Sequence, residues 1–214
     1  MDIIFDFGVV VFTWEPGRLI RESLPELELS EDQALQAAKI IFQGHEPNAD
    51  WSAFDRGTLQ AQDVVSKIST RAGWSPSHVE RILSAVPGHL LPKPESVSVI
   101  ETLAQQGHRL FYLSNMPAPY ADHIDRTYSF IQRFVAGIYS SRVGLIKPEA
   151  EIFFALDSLR ASHEQPIFID DASANVEAAA RHGWRTIHFQ SPKQMDQALF
   201  HIGALPISPQ EEVK

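Results

Sequence analysis

The chain has 214 residues, 44% hydrophobic and 21% charged, an ordinary globular balance that excludes a disordered, collagen-like or coiled-coil protein. Asp and Glu number 27 against 18 Lys and Arg, a formal charge of −9, which disfavours nucleic acid and anionic membranes as partners and, taken alone, phosphate ligands too. Cysteine is absent, so disulfides, zinc–thiolate sites, iron–sulfur clusters and thiol nucleophiles are excluded. No apolar run approaches the roughly 18–20 residues of a membrane span. The N-terminus lacks a basic segment and Asp6 interrupts its apolar stretch, so a signal peptide is not expected and a cytoplasmic location is.

Ile3, Ile4 and Phe5 form a short, β-branched run that stops at Asp6 and Gly8, the pattern of a buried parallel strand. Residues 14 to about 92 then show helical patterns and no convincing strand. Ser30 leads into a helix over 34–42 with Gly44 as its stop, Asp50 precedes a helix over 51–54, and Thr58 is expected to cap a helix over 59–71 that Gly73 ends. Ser75 and Pro76 open a helix over 77–86. The proline-rich stretch 87–94 reads as a linker. Beyond it, strand-like runs at 109–114, 134–139, 166–169 and 185–189 alternate with helical segments at 95–106, 149–159 and 173–181. This alternation predicts an α/β fold, a Rossmann-like parallel sheet with helices on both faces. The expected organisation is a core of residues 1–13 and 93–214 with a helical cap, 14–92, inserted after the first strand. The tail from Pro206 is expected to fray.

Ligands of an open α/β sheet bind beyond the carboxyl ends of its strands. Those ends carry Asp6-Phe7-Gly8, Ser114-Asn115 and Asp170-Asp171, and Lys147-Pro148-Glu149 lies between the third and fourth strands. A carboxylate can attack an electrophile and form a covalent intermediate. Three clustered carboxylates repel one another unless a cation neutralises them, and an all-oxygen ligand set selects a hard cation such as Mg²⁺. Lys147, the Ser114 hydroxyl and such a cation could together bind phosphoryl oxygens.

These four segments, in this order, resemble the motifs of the haloacid dehalogenase-like superfamily: an apolar strand ending in Asp6, LSN at 113–115, Lys147-Pro148, and FIDDASANVEAA at 168–179. The resemblance covers essentially the whole chain. It is strongest to the bacterial α-D-glucose 1-phosphate phosphatases and to the N-terminal phosphatase domain of epoxide hydrolase. It implies that Asp6 is the nucleophile and that Ser114, Asn115 and Lys147 contact the phosphoryl group. It further implies that Asp6, the Gly8 carbonyl, Asp170 and Asp171 surround Mg²⁺, and that Asn175 orients the acidic loop. One departure stands out. Most phosphatases of this superfamily carry a second Asp two residues after the nucleophile as general acid and base. Here that position is Gly8, which cannot move a proton.

The expected function is Mg²⁺-dependent hydrolysis of a small phosphate ester, a sugar phosphate first, by a monomer or homodimer. The alternatives are a 2-haloacid dehalogenase, which has no need of a metal carboxylate pair, and a non-catalytic phosphate-binding protein. The nine histidines show no HxH or HExxH spacing, so His45, His89 and His123 read as surface or packing residues. Trp14, Trp51 and Phe54 read as core aromatics or as a pocket wall. Asp55-Arg56-Gly57 reads as a turn between helices, with Arg56 in a surface salt bridge.

Overall fold

In the computed structural model, which describes residues 1–43 and 49–206, β1 (Asp2–Phe5) is the central strand of a sheet. Ile3 and Phe5 pack on one face with Leu110, Ile167 and Ile169, while Ile4 faces the other with Phe111 and Phe168. That alternation leaves no wet face, as expected of a sheet covered on both sides. The neighbours are β2 (Arg109–Ser114), β3 (Ala136–Tyr139), β4 (Ile167–Asp170) and β5 (Arg185–His188), all parallel, in the order β3-β2-β1-β4-β5. Strand order reverses at β1, so a crevice opens at its carboxyl end. Phe5 is level with Tyr112 and with Ile169, which sets Asp6, Ser114 and Asp170 along one edge.

Between β1 and the rest of the sheet run α1 (Pro16–Ser23), α2 (Glu31–Phe42), α3 (Asp50–Asp55), α4 (Ala61–Ala72) and α5 (Pro76–His89), with no strand among the described residues there. The sheet is covered by α6 (Pro94–Gln105), α7 (Ala118–Thr127), α8 (Ser140–Val143), α9 (Ala150–Arg160), α10 (Ser173–His182) and α11 (Pro192–His201). Ser30 caps α2 in a reciprocal box with Gln33, and Ser75 caps α5 by accepting from the His78 N–H. The expected stop at Gly44, His45 and the tail beyond Pro206 lie outside the described residues.

Two local expectations fail for visible reasons. Thr58 caps nothing. Its hydroxyl donates back to the Ala53 carbonyl, and α4 starts later, after Gln60. The stretch from Pro87 is not all linker, because α5 runs on to His89 with Pro87 inside it. A proline cannot donate to the carbonyl four residues back. Here that carbonyl is Leu83 O, and it accepts from the Tyr120 hydroxyl at 3.1 Å instead.

Gly137 shows how tightly the sheet is packed beside the crevice. A Cβ there would lie 2.3 Å from the Tyr112 ring, which itself stacks on Phe7 at 4.8 Å. Gly137→Ala is therefore expected to cost about 1–3 kcal/mol, as overpacked cores do, read as a lower urea midpoint at unchanged m-value.

Candidate active site

The turn after β1 is set by backbone. Gly8 leads into Val9, whose φ of 59° is a left-handed conformation that a β-branched residue rarely adopts. The start of α6 holds this turn. Lys93 Nζ donates to the Val9 carbonyl, Ser96 Oγ donates to the Val10 carbonyl at 2.7 Å, and the Lys93 N–H donates to the Val11 carbonyl at 2.8 Å. Strained backbone persists where its surroundings over-determine it, typically at functional sites.

Asp6, directly before this turn, is buried and Lys147 Nζ lies 2.9 Å from its Oδ1, which also accepts from the Phe7 N–H at 2.7 Å. The same ammonium donates to Asp170 Oδ2 at 2.6 Å. Asp170 is further held by Asn175 Nδ2, 3.1 Å from both its oxygens, and by the Ala172 N–H at 2.8 Å. Asn115 uses both ends of its amide on the Lys147 backbone: Nδ2 donates to the carbonyl at 2.9 Å and Oδ1 accepts from the N–H at 2.8 Å. The Lys147-Pro148 peptide is cis. Ser114 is buried at the end of β2 and does not cap α7, whose N-cap is Pro117 with no side-chain hydrogen bond. The sequence-derived residues Asp6, Gly8, Ser114, Asn115, Lys147, Asp171 and Asn175 all line one cavity of about 200 Å³, with Asp170 behind them.

The charges are set by burial and by one another. Burial pushes the Asp6 carboxyl up to about 7; Lys147 pulls it back, and Asp170 and Asp171 push it higher. For Lys147 burial works downward, but Asp170 and Asp6 outweigh it and its pKa is raised. Two of the three clustered carboxylates, Asp6 and Asp170, thus share one ammonium. Asp6, Asp170 and Asp171 each offer an oxygen within 4.8 Å of the others, a hard donor set that fits Mg²⁺, with the Gly8 carbonyl on the same cavity wall.

The outer wall is apolar and comes largely from the helical segment: Trp14, Phe42, Trp51, Val86 and Leu90, facing Met116 and Tyr120. Phe54 belongs to the core behind it. No histidine lines the cavity among the described residues. Arg56 does make its salt bridge, but across the molecule: Nη2 meets Glu149 Oε1 at 2.5 Å and Nη1 donates to the Gly144 carbonyl at 3.2 Å.

Sequence reasoning passed over Asp55. This last residue of α3 lines the same cavity as Asp6, Lys147 and Asp171. Burial pushes its carboxyl up to about 8, against the pull of Lys147 and with a push from Asp6. The available signal was its position: an acid at a helix C-terminus opposes the macrodipole and is rarely placed there for stability.

The chain matches the family model for haloacid dehalogenase-like hydrolases over residues 4–183. It is 28% identical over 187 residues to the sesquiterpene phosphatase astK of Aspergillus oryzae, covering 86% of this chain and 87% of that one. A stretch of 57 residues is 42% identical to rat bifunctional epoxide hydrolase 2, covering 26% of this chain and 10% of that protein. Among solved structures, a HAD family enzyme of Bacteroides thetaiotaomicron in complex with magnesium and inorganic phosphate superposes with a TM-score of 0.68. It is 19% identical and the match covers 88% of this chain and 93% of that one.

Proposed function

The chain belongs to the haloacid dehalogenase-like hydrolases, and we propose that within them it is a Mg²⁺-dependent phosphatase whose substrates are phosphate monoesters of apolar alcohols. The observation that carries this is the division of one cavity into a charged floor, Asp6, Lys147 and Asp171, and an aromatic and aliphatic wall. In this reading Asp6 attacks phosphorus, the alcohol departs, and water hydrolyses the aspartyl phosphate. Lys147 and Ser114 bind the phosphoryl oxygens, while Asn115 and Asn175 position Lys147 and Asp170. Asp6, Asp170, Asp171 and the Gly8 carbonyl would hold Mg²⁺, which when bound supplies positive charge for the phosphoryl group. The segment 14–92 acts as a cap that closes the site from water.

The sugar phosphate expected from the sequence suits the floor but finds few polar partners on the wall. Tyr120 has already committed its hydroxyl to Leu83 O. The similarity to a sesquiterpene phosphatase supports an apolar organic part independently. A release assay with Mg²⁺ should give higher kcat/KM for farnesyl and octyl phosphates than for glucose 1-phosphate, and EDTA should abolish turnover of all three. Preference for the sugar ester would overturn the apolar assignment. Hydrolysis surviving EDTA, or chloride release from 2-chloropropionate with no phosphatase activity, would overturn the phosphatase reading.

A further inference from the structure

A phosphatase of this design needs a proton for its leaving alcohol, and Gly8 stands where such a donor would be. Among the described residues lining the cavity, most groups able to donate are already committed. Lys147 is shared between Asp6 and Asp170, and the Tyr120 hydroxyl is bound to Leu83 O. Asp171 belongs to the acidic group at the floor. Asp55 remains. No described residue donates a hydrogen bond to its carboxylate; what the protein grips is its backbone, whose carbonyl accepts from Ser140 Oγ at 2.5 Å.

The whole turn around Asp55 is fastened to the core. Arg56 is paired with Glu149, and Gly57, at a φ of 79°, sits so close to Ser141 that a Cβ would lie 2.7 Å from its carbonyl oxygen. The turn that carries Asp55 therefore docks the helical segment on α8. A half-buried carboxyl without a hydrogen-bond donor among the described residues, at the unfavourable end of a helix, held there by its neighbours' bonds, is costly for stability and useful for chemistry.

The geometry points to Asp55 as the catalytic acid and base of this enzyme, delivered from the helical segment in place of the residue that Gly8 lacks. The inference rests on the phosphatase reading above. As the bond from Asp6 to phosphorus forms, the bond to the ester oxygen breaks; that oxygen keeps the electron pair and takes the proton of Asp55, and the alcohol leaves. The Asp55 carboxylate then accepts a proton from the water that attacks phosphorus. The Asp6–phosphorus bond breaks with its electron pair returning to Asp6, and inorganic phosphate departs. Burial, which holds the Asp55 carboxyl largely protonated at neutral pH, suits the first of these steps.

The test is a leaving-group series: benzyl, phenyl and 4-nitrophenyl phosphates, similar rings with progressively better leaving groups, compared by kcat/KM in wild type, Asp55→Asn and Asp55→Ser. General acid catalysis contributes about 10²–10⁴-fold, so both variants should lose that much on benzyl phosphate and less than about tenfold on 4-nitrophenyl phosphate. An equal loss across the series, or none, overturns the assignment, because a residue that only shapes the pocket has no reason to follow leaving-group basicity. Thermal melts of both variants should be no lower than that of the wild type, so a loss confined to the poor leaving groups cannot come from misfolding. A wild-type enzyme that hydrolyses none of the three would instead overturn the phosphatase reading itself.

Discussion

Asp6→Asn is expected to lower kcat/KM by at least about 10⁴-fold on every phosphate ester the enzyme takes, with no labelled protein after an acid quench. An amide oxygen is a far weaker nucleophile than a carboxylate, and an acyl phosphate cannot form on it. The fold should survive. Asn keeps the shape, and the Phe7 N–H can still donate to the side-chain oxygen that now meets it at 2.7 Å. Lys147 keeps Asp170 at 2.6 Å. Removing one of three clustered carboxylates also relieves repulsion. The melting temperature in EDTA should therefore be no lower than that of the wild type. Retention of Mg²⁺-dependent turnover by the variant would remove Asp6 from the role of nucleophile.

What could be read from the residues alone follows from where each signal lives. Runs such as Ile3-Ile4-Phe5 announce a buried strand because both faces of the sheet are covered, and the alternation with helices leaves few ways to order the strands. The residues at the strand ends were legible for the same reason, since chain order and sheet order together bring Asp6, Ser114 and Asp170 to one edge. The local failures differ in cause. Thr58 has the chemistry of a cap but spends its hydroxyl on Ala53 O. Pro87 stays helical because a hydroxyl from α7, 33 residues on by the numbering of Pro87 and Tyr120, satisfies the carbonyl it frees. Asp55 was hidden more deeply. Its neighbours Arg56 and Gly57 read locally as a turn, and nothing near them in sequence says that this turn lies against Ser140, Ser141 and Glu149. The net charge of −9 misled for a related reason. A sum over the chain cannot show that three of its carboxylates face one another around a site suited to a cation.

Lys147→Met is expected to damage stability and activity together, and the two losses should be separable. Lys147 is only 2% exposed and Asp170 not at all, and the ammonium bridges Asp170 and Asp6. Removing one partner of a buried pair leaves an uncompensated charge and costs about 3–5 kcal/mol, a large share of the roughly 5–15 kcal/mol that holds a domain together. The Asn175 amide and the Ala172 N–H would still solvate Asp170, but neither carries a charge. Urea unfolding in EDTA should show this loss in full. Mg²⁺ should then raise the midpoint of the variant more than that of the wild type, since a cation bound only by the folded state adds stability by mass action where negative charge is least compensated. Adding Asp170→Asn to Lys147→Met takes away one of the two carboxylates the ammonium had balanced, so the double variant should recover part of the lost stability, a coupling that a double-mutant cycle measures directly. Activity should not return with it. The phosphoryl group would still lack the ammonium, an electrostatic contribution worth about 10²–10³-fold in turnover, and the proposed Mg²⁺ would lose the Asp170 carboxylate as well. A double variant as unstable as Lys147→Met would show that the lysine stem fills space rather than balancing charge, and recovered turnover would remove Lys147 from the chemistry.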